Sequence, residues 1–516
     1  MPINVIHLGA ARIAALIARG EVSAVDAVEQ HIAQLQRVNP ALNAMVIDLF
    51  ASARAAAREA DAKQQRGEAL GPLHGVPVTI KECFDMPGLP STFGLESRRE
   101  HRADEEDIYV ARLRAAGAIP IAKSNVPQLL FYYESDNPVY GRANNPHNLA
   151  RTPGGSSGGE GALVAAGASP LGLGNDIGGS IRVPANFCGI TGIKPTTGRC
   201  DDIGTVLPSG QRTVRSQVGP MAPFVADVAL GLKVLNGTTP EGEPGKPLGD
   251  YSAIKVSDLR IAFYTDDGTF TPAPAAARAV REAADMLRAA GAQVNAWQPP
   301  DAPQALGVLY GILGGDGMGT MKRVFGKGRQ TPQIKQLMLL TLLPRWGIRA
   351  LRGLLGVFGQ RSMASTLAPF GDYSALHFWD VTAAQAAYEK RFSEALRNAP
   401  GGPFDIILCP VCALPAFTHG ASRDLLTAGA YAGLYNLLGY PAGSVPVTRV
   451  RADEESSRAT SGDLIEKLAR KVEQGSAGLP IGVQVVARPW REHEALAVMQ
   501  VIETAARSQT DFKPNP

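Results

Sequence analysis

The sequence predicts an α/β protein in which strands and helices are layered on one another. Short apolar runs at 76–80, 119–122, 260–264 and 404–409 alternate with longer stretches whose apolar residues recur every three or four positions. Strand–helix–strand alternation of this kind marks layered α/β architectures. The chain has 516 residues, 45% hydrophobic and 19% charged, an ordinary composition for a globular protein with a large core.

Taken in order, 10–20 and 23–38 are amphipathic helices. Ile13, Leu16 and Ile17 share a face of the first, and Val25, Val28, Ile32 and Leu35 a face of the second. Ser23 is placed to cap the second helix, and Asn39 with Pro40 is expected to end it. A strand at 44–49 and an Ala-rich helix at 52–66 follow. The run 76–80 leads into Lys81, and Pro77 restricts it to a strand start or a sheet edge. Next come a helix at 103–116, a strand at 119–122, a strand at 260–264, an Ala-rich helix at 274–290 and a strand within 291–297. A buried strand at 404–409 precedes a charged stretch, 451–475, expected to be an exposed loop with a helix at 462–473. Residues 492–506 form a closing helix, and the tail to Pro516 is expected to fray.

Composition narrows the function classes. A net charge of +3 is too small to argue for nucleic acid. The five cysteines are few and odd in number, so no disulfide framework is expected. Cys409 and Cys412 form a C-x-x-C, but no second pair or His–His spacing accompanies it, and a strand leads into it. Core cysteines are therefore expected there, and no metal or cofactor. The N-terminus shows no basic segment followed by an apolar stretch and cleavage site, and no window of about 20 uninterrupted apolar residues appears. The expected compartment is the cytoplasm.

Residues 150–200 differ from the rest. They are rich in Gly and Ser, with pairs at Gly154–Gly155, Gly158–Gly159 and Gly178–Gly179, and each pair touches a serine: Ser156, Ser157 or Ser180. Backbone N–H groups freed by such runs, beside a hydroxyl, suit acyl transfer: the hydroxyl attacks a carbonyl and the amides hold the oxyanion. A flexible linker is a poor reading, because apolar runs interleave with the glycines. A phosphate-cradling loop is weakly supported, since Gly172, Gly174 and Gly178 lack the accompanying Lys-Ser/Thr. A nucleophile elbow centred on Ser156 needs a preceding strand, and 144–153 is polar and broken by proline. By composition alone, catalysis and simple tight packing both stay open.

This block resembles the signature segment of the amidase signature family of serine hydrolases, and 71–84 (GPLHGVPVTIKECF) resembles that family's lysine segment. Segments 123–131, 137–141, 435–450 and 478–490 are similar to the fatty acid amide hydrolase branch in particular. The resemblance implies one domain over 1–516, with a mixed, twisted central β-sheet covered by helices on both faces and a catalytic core at 70–235, although length alone would suit two to four domains. It implies a catalytic Lys81, bridging Ser156 and nucleophilic Ser180, with a cis peptide at Ser156. It implies an oxyanion hole from the amides of Ile177, Gly178, Gly179 and Ser180, and support from Ser157, Asp176 and Arg182. Leu130, Phe131 and Tyr133 would line the substrate pocket, with 435–438 and the turn at 441–443 on its wall. Asn175 departs from the Thr common in that branch, a small local adjustment. Homodimers occur in that branch.

Residues 322–361 contain nine Lys and Arg and no Asp or Glu. Pro344 splits the segment after the apolar run 337–343. Arg345, Arg349 and Arg352 then fall on one helical face, with Leu351, Leu354, Leu355 and Phe358 on the other side. A basic stripe opposite an apolar face is the pattern of an interfacial membrane helix, although a helix packed on the core shows it too. The resemblance implies a cap at this place, inserted at 322–361 and touching the inner membrane face through 331–361. The expected activity is cleavage of the C–N bond of carboxylic amides, with fatty acid amides or N-acylethanolamines as substrates. A broad amidase on short or aryl amides, the glutaminase subunit of a tRNA amidotransferase and a silent lipid-binding protein are the alternatives.

Overall fold

The computed structural model describes residues 3–202, 210–237, 245–367, 370–371, 373–455 and 457–509. Thirteen strands are present among them: β1 (Met45–Asp48), β2 (Pro77–Lys81), β3 (Ile119–Ser124), β4 (Asp136–Asn137), β5 (Gly141–Arg142), β6 (Gly172–Asp176), β7 (Thr191–Lys194), β8 (Gln217–Ala222), β9 (Arg260–Phe263), β10 (Gln293–Ala296), β11 (Ile406–Pro410), β12 (Ala442–Arg449) and β13 (Pro480–Ala487). Eleven form one sheet in the order β1-β3-β2-β6-β8-β7-β12-β13-β11-β9-β10, and β4 pairs with β5 as a separate hairpin. The sheet is mixed. β2 runs parallel to β3 and β6, and β9 to β10 and β11, while β8 pairs antiparallel with β6 and β7, and β13 with β11 and β12.

The central strands are buried along their whole length on both faces. β2, β3, β6, β7, β8, β11 and β13 contain no residue above intermediate burial. Strands covered on both sides show no polar/apolar alternation. That is why β6, β7 and β8, short sequences such as GLGND and TGIK with one or two glycines each, carry no strand signal of their own. Helices cover the sheet; Pro274–Ala289 and Glu492–Arg507 pack against the β12–β13–β11 side through Ala279, Ala283, Leu496 and Met499, all buried.

Local expectations are met in type and shifted at boundaries. The second helix spans Ala24–Leu42 and passes through Pro40 instead of stopping there. Ser23 caps it as expected, accepting from the Asp26 N–H, and Asn43 closes it in the left-handed conformation (φ 45°) with its N–H on the Asn39 carbonyl. Pro40 lies in the last turn, where only one backbone hydrogen bond is lost. The helix expected at 103–116 is only Ile108–Ala115, because the Asp107 carboxylate caps the Tyr109 N–H and starts it there. Pro77 begins β2, an interior strand. The helix in the charged stretch, Leu464–Glu473, buries Ile465, Ala469 and Val472, so 451–475 is packed on one side rather than wholly exposed. All five cysteines are reduced and buried. The terminal residues 510–516 lie outside the described residues.

Candidate active site

Three features of the chain trace bring the site together. Lys81 is the last residue of β2, and β6, its parallel neighbour, ends at Asp176. The turn 177–181 follows directly and leads into the helix Arg182–Cys188. Ser156 and Ser157 precede the helix Gly158–Ala165, and the Gly155–Ser156 peptide is cis. The Ser157 N–H donates to the Ser180 carbonyl (3.1 Å), which ties the two serine segments together. Gly155 leaves no room for a side chain: a Cβ there would stand 2.5 Å from the Tyr132 carbonyl oxygen.

Lys81 is fully buried; its Nζ lies in hydrogen-bond contact with Ser156 Oγ (2.7 Å) and donates to Asn175 Oδ1 (2.6 Å). Burial pushes its ammonium below the ordinary 10.5, against the opposing pull of Cys83, Asp202, Asp176 and Glu160. Ser156 is buried, and Ser180 is 8% exposed at the floor of a cavity.

Asp176 and Arg182 hold the turn. Gly179 N–H (2.8 Å) and Ile181 N–H (3.1 Å) donate to the Asp176 carboxylate, and Arg182 makes a two-pronged ion pair with it (3.0 and 2.9 Å). The rest of the guanidinium goes to the Ala432 carbonyl, Gln484 Oε1 and Asn436 Oδ1, so no donor is wasted in the dry interior. Burial works to raise the Asp176 carboxyl, but the Arg182 charge and the hydrogen bonds from Arg182 and Asn436 together outweigh it and hold it well below the usual carboxylate range. Asn436 and Gln484 are partners that the sequence did not single out, since nothing in their local spacing marks them.

The amide of Gly179 (φ 116°) is therefore committed to Asp176, which corrects the expectation of four oxyanion donors. The amides of Ile177, Gly178 and Ser180 have no hydrogen-bond partner among the described residues. Ser157 donates to the Asn175 carbonyl (3.4 Å), a contact beneath the turn.

Leu130, Phe131 and Tyr133 all line the cavity at Ser180, together with Ile177 and Gly178. The Tyr133 hydroxyl also donates to the Gly178 carbonyl (2.6 Å), bracing the turn from the pocket side. Tyr132, absent from the sequence-based set, lines this cavity too. Nothing in its local spacing marks it; in the structure Leu129, Leu130 and Tyr132 all take positive φ (59°, 55° and 78°), which turns successive side chains onto one wall. From the helix Ala430–Leu437 the wall receives Ala430 and Gly433. Tyr435, expected there, instead points into the core and hydrogen-bonds the Tyr264 hydroxyl (2.9 Å).

A second, larger cavity of about 220 Å³ adjoins the first and shares Phe131, Tyr132, Tyr310, Leu313 and Leu426 with it. Its roof is formed by the helices Pro332–Leu340 and Arg345–Val357, through Leu337, Leu340, Leu351 and Leu355. Its few polar groups include Arg423 and Asp424, which neutralise each other in a close pair (2.9 and 2.6 Å). The apolar residues of the second helix thus divide. Leu351 and Leu355 face this chamber, whereas Trp346, Leu354, Val357 and Phe358 are exposed. No helix among the described residues is long and apolar enough to cross a membrane.

Residues 26–496 match the Amidase family model, so the chain belongs to the amidase family, and it is a hydrolase acting on amides. It is 38% identical to the fatty-acid amide hydrolase 1 of Sus scrofa over 86% of this chain and 77% of that protein. It is 33% identical to the fatty acid amide hydrolase 1 of Caenorhabditis elegans over 94% of this chain and 86% of that one. Its fold superposes on a solved fatty acid amide hydrolase with a TM-score of 0.83 at 22% identity, over 98% of this chain and 86% of the other.

Proposed function

We propose that the chain hydrolyses long-chain fatty acyl amides, primary or N-acylethanolamine in type, through Lys81, Ser156 and Ser180. Neutral Lys81 accepts the Ser156 proton while Ser156 takes the proton of Ser180. Ser180 Oγ adds to the amide carbonyl, and the oxyanion faces the amides of Ile177, Gly178 and Ser180, each such donor being worth roughly 3–4 kcal/mol. On collapse the C–N bond breaks, and the proton held by the relay passes back through Ser156 to the departing amine. Water then attacks the Ser180 ester along the same relay, releasing the fatty acid. The observation that carries the proton relay is the 2.7 Å hydrogen bond between buried Lys81 and Ser156.

The acyl preference rests on the chamber of about 220 Å³ that continues the Ser180 cavity under the two apolar helices. Each methylene buried there contributes about 0.8 kcal/mol, so kcat/KM should rise roughly fourfold per added methylene until the chamber is filled. The same helices turn Trp346, Val357 and Phe358 outward beside Arg345, Arg349 and Arg352, and this supports reversible docking on an anionic membrane surface from which an apolar amide enters.

A hydrolysis series from acetamide through hexanamide and dodecanamide to oleamide, with and without liposomes, tests the reading. The expected result is a steep rise with chain length. Faster cleavage of acetyl or aryl amides, or of free glutamine, would replace the fatty-amide assignment with the broad-amidase or glutaminase alternative.

A further inference from the structure

We propose that Asn175, locked in one orientation by Asp202, is a positioning residue that aims the lone pair of Lys81 at Ser156. The inference rests on the proposed Lys81–Ser156–Ser180 relay and adds a member to it. Neutral Lys81 has two N–H bonds and one lone pair on Nζ. To act as a base it must present the lone pair to Ser156, which requires its hydrogens to be held elsewhere. Asn175 Oδ1 lies 2.6 Å from Nζ, and an amide oxygen can only accept.

An asparagine could present either its oxygen or its NH₂ to the lysine, and the wrong face would compete for the lone pair. Asp202 removes that ambiguity. Its Oδ2 lies 2.6 Å from Asn175 Nδ2, and an ionised carboxylate accepts only, so the NH₂ must face Asp202 and the oxygen must face Lys81. The Ser216 hydroxyl donates to the same carboxylate oxygen (3.0 Å), and Cys83 Sγ lies 3.6 Å from the Asn175 amide nitrogen. Asn175 is 3% exposed, so water does not replace any of these contacts.

The chain is thus Ser216 to Asp202 to Asn175 to Lys81 to Ser156, with one direction of donation at each link and one Lys81 N–H held by Asn175. It also sets the protonation of Lys81 together with the other charged and titratable groups around it, Cys83, Asp176 and Glu160. An acceptor and a nearby carboxylate both favour the ammonium, and losing either favours the free amine.

The test measures pH profiles of kcat and KM for oleamide hydrolysis with the wild-type chain, Asn175→Leu, Asp202→Asn and the double variant. In each variant the plateau kcat should fall about tenfold to a hundredfold, part of what general base catalysis supplies. KM should stay constant, because Asn175 does not line the acyl chambers. The acid limb should move to lower pH, and the double variant should lose no more plateau kcat than Asn175→Leu alone, because Asp202 acts through Asn175. Should Asn175→Leu not fold, the isosteric Asp202→Asn decides by the same two readouts. Variants whose profiles superimpose on the wild type, or a loss confined to KM, overturn the inference. A wild-type chain that hydrolyses no amide of any chain length is a different failure, and strikes at the proposed function itself.

Discussion

At Lys81, burial and charge pull in opposite directions, and burial prevails. The amine is active as a base only when neutral, so lowering the pH protonates it and stops the relay. Activity should therefore rise with pH and level off below the ordinary lysine value of 10.5. A rate flat from pH 5 to pH 10 would remove lysine from the mechanism. Lys81→Ala and Ser180→Ala should each lose at least about a thousandfold in kcat, measured on oleamide, since members of such a relay act as a unit. Arg182 makes a different kind of prediction. Arg182→Ala leaves Asp176 charged and unpaired in the interior, which costs about 3–5 kcal/mol. Urea unfolding should show that loss, together with lost activity from a loosened 177–181 turn. Lys81, Ser156, Ser180, Asp176 and Arg182 could be singled out through the family resemblance because they sit in one short block and one upstream strand. Asn436 and Gln484 were not, because each reaches Arg182 from more than 250 residues away.

Among the elements, the helix Gly158–Ala165 carries a carboxyl with no exposure at all, Glu160, which accepts from the Thr79 hydroxyl (2.5 Å). Burial raises it from 4.5 to about 7. A group raised on folding stabilises fully below its unfolded value, and that contribution is lost as pH rises through the folded one. The gap is worth on the order of 3 kcal/mol. Glu160→Gln, which cannot ionise, should therefore gain thermal stability relative to the wild type as pH climbs from 4.5 past 7. Parallel melting curves across that range would refute the assignment. The helix Arg345–Val357 has three faces rather than the two its sequence suggests: Leu351 and Leu355 inward, the arginines to one side, and Trp346, Leu354 and Val357 outward. A period of 3.6 separates apolar from basic positions, but it cannot say which apolar stripe meets a chamber and which meets solvent. Leu351→Asp should lower kcat/KM for oleamide at least about tenfold and leave a hexanamide nearly untouched, because only the longer chain reaches the roof.

For the whole molecule, the chamber and the exposed apolar face belong to different faces of the same helix, Arg345–Val357, so the proposed substrate entry and membrane docking would share one element. Trp346→Ser combined with Phe358→Ser should weaken co-sedimentation with vesicles of anionic lipid by severalfold and spare hydrolysis of a soluble short amide, since neither residue lines a chamber. Equal vesicle binding by the double variant would exclude this face as the membrane contact. The eleven-stranded sheet sets the geometry on which all this depends. It places the C-terminal ends of β2 and β6 side by side, and so brings Lys81 to Asn175 across 94 positions of sequence.

By itself, the sequence determined the layered α/β class, because local composition and short-range spacing are properties of the chain as written, and its resemblance to the amidase signature family pointed to the block around Ser156 and Ser180. The tertiary structure decided which amides of the 177–181 turn are already engaged, which face of the helix Arg345–Val357 lines the chamber, and which oxygen holds Lys81. Those depend on partners that meet only when distant strands pair, and on burial, which leaves each polar group to find its partner within the protein.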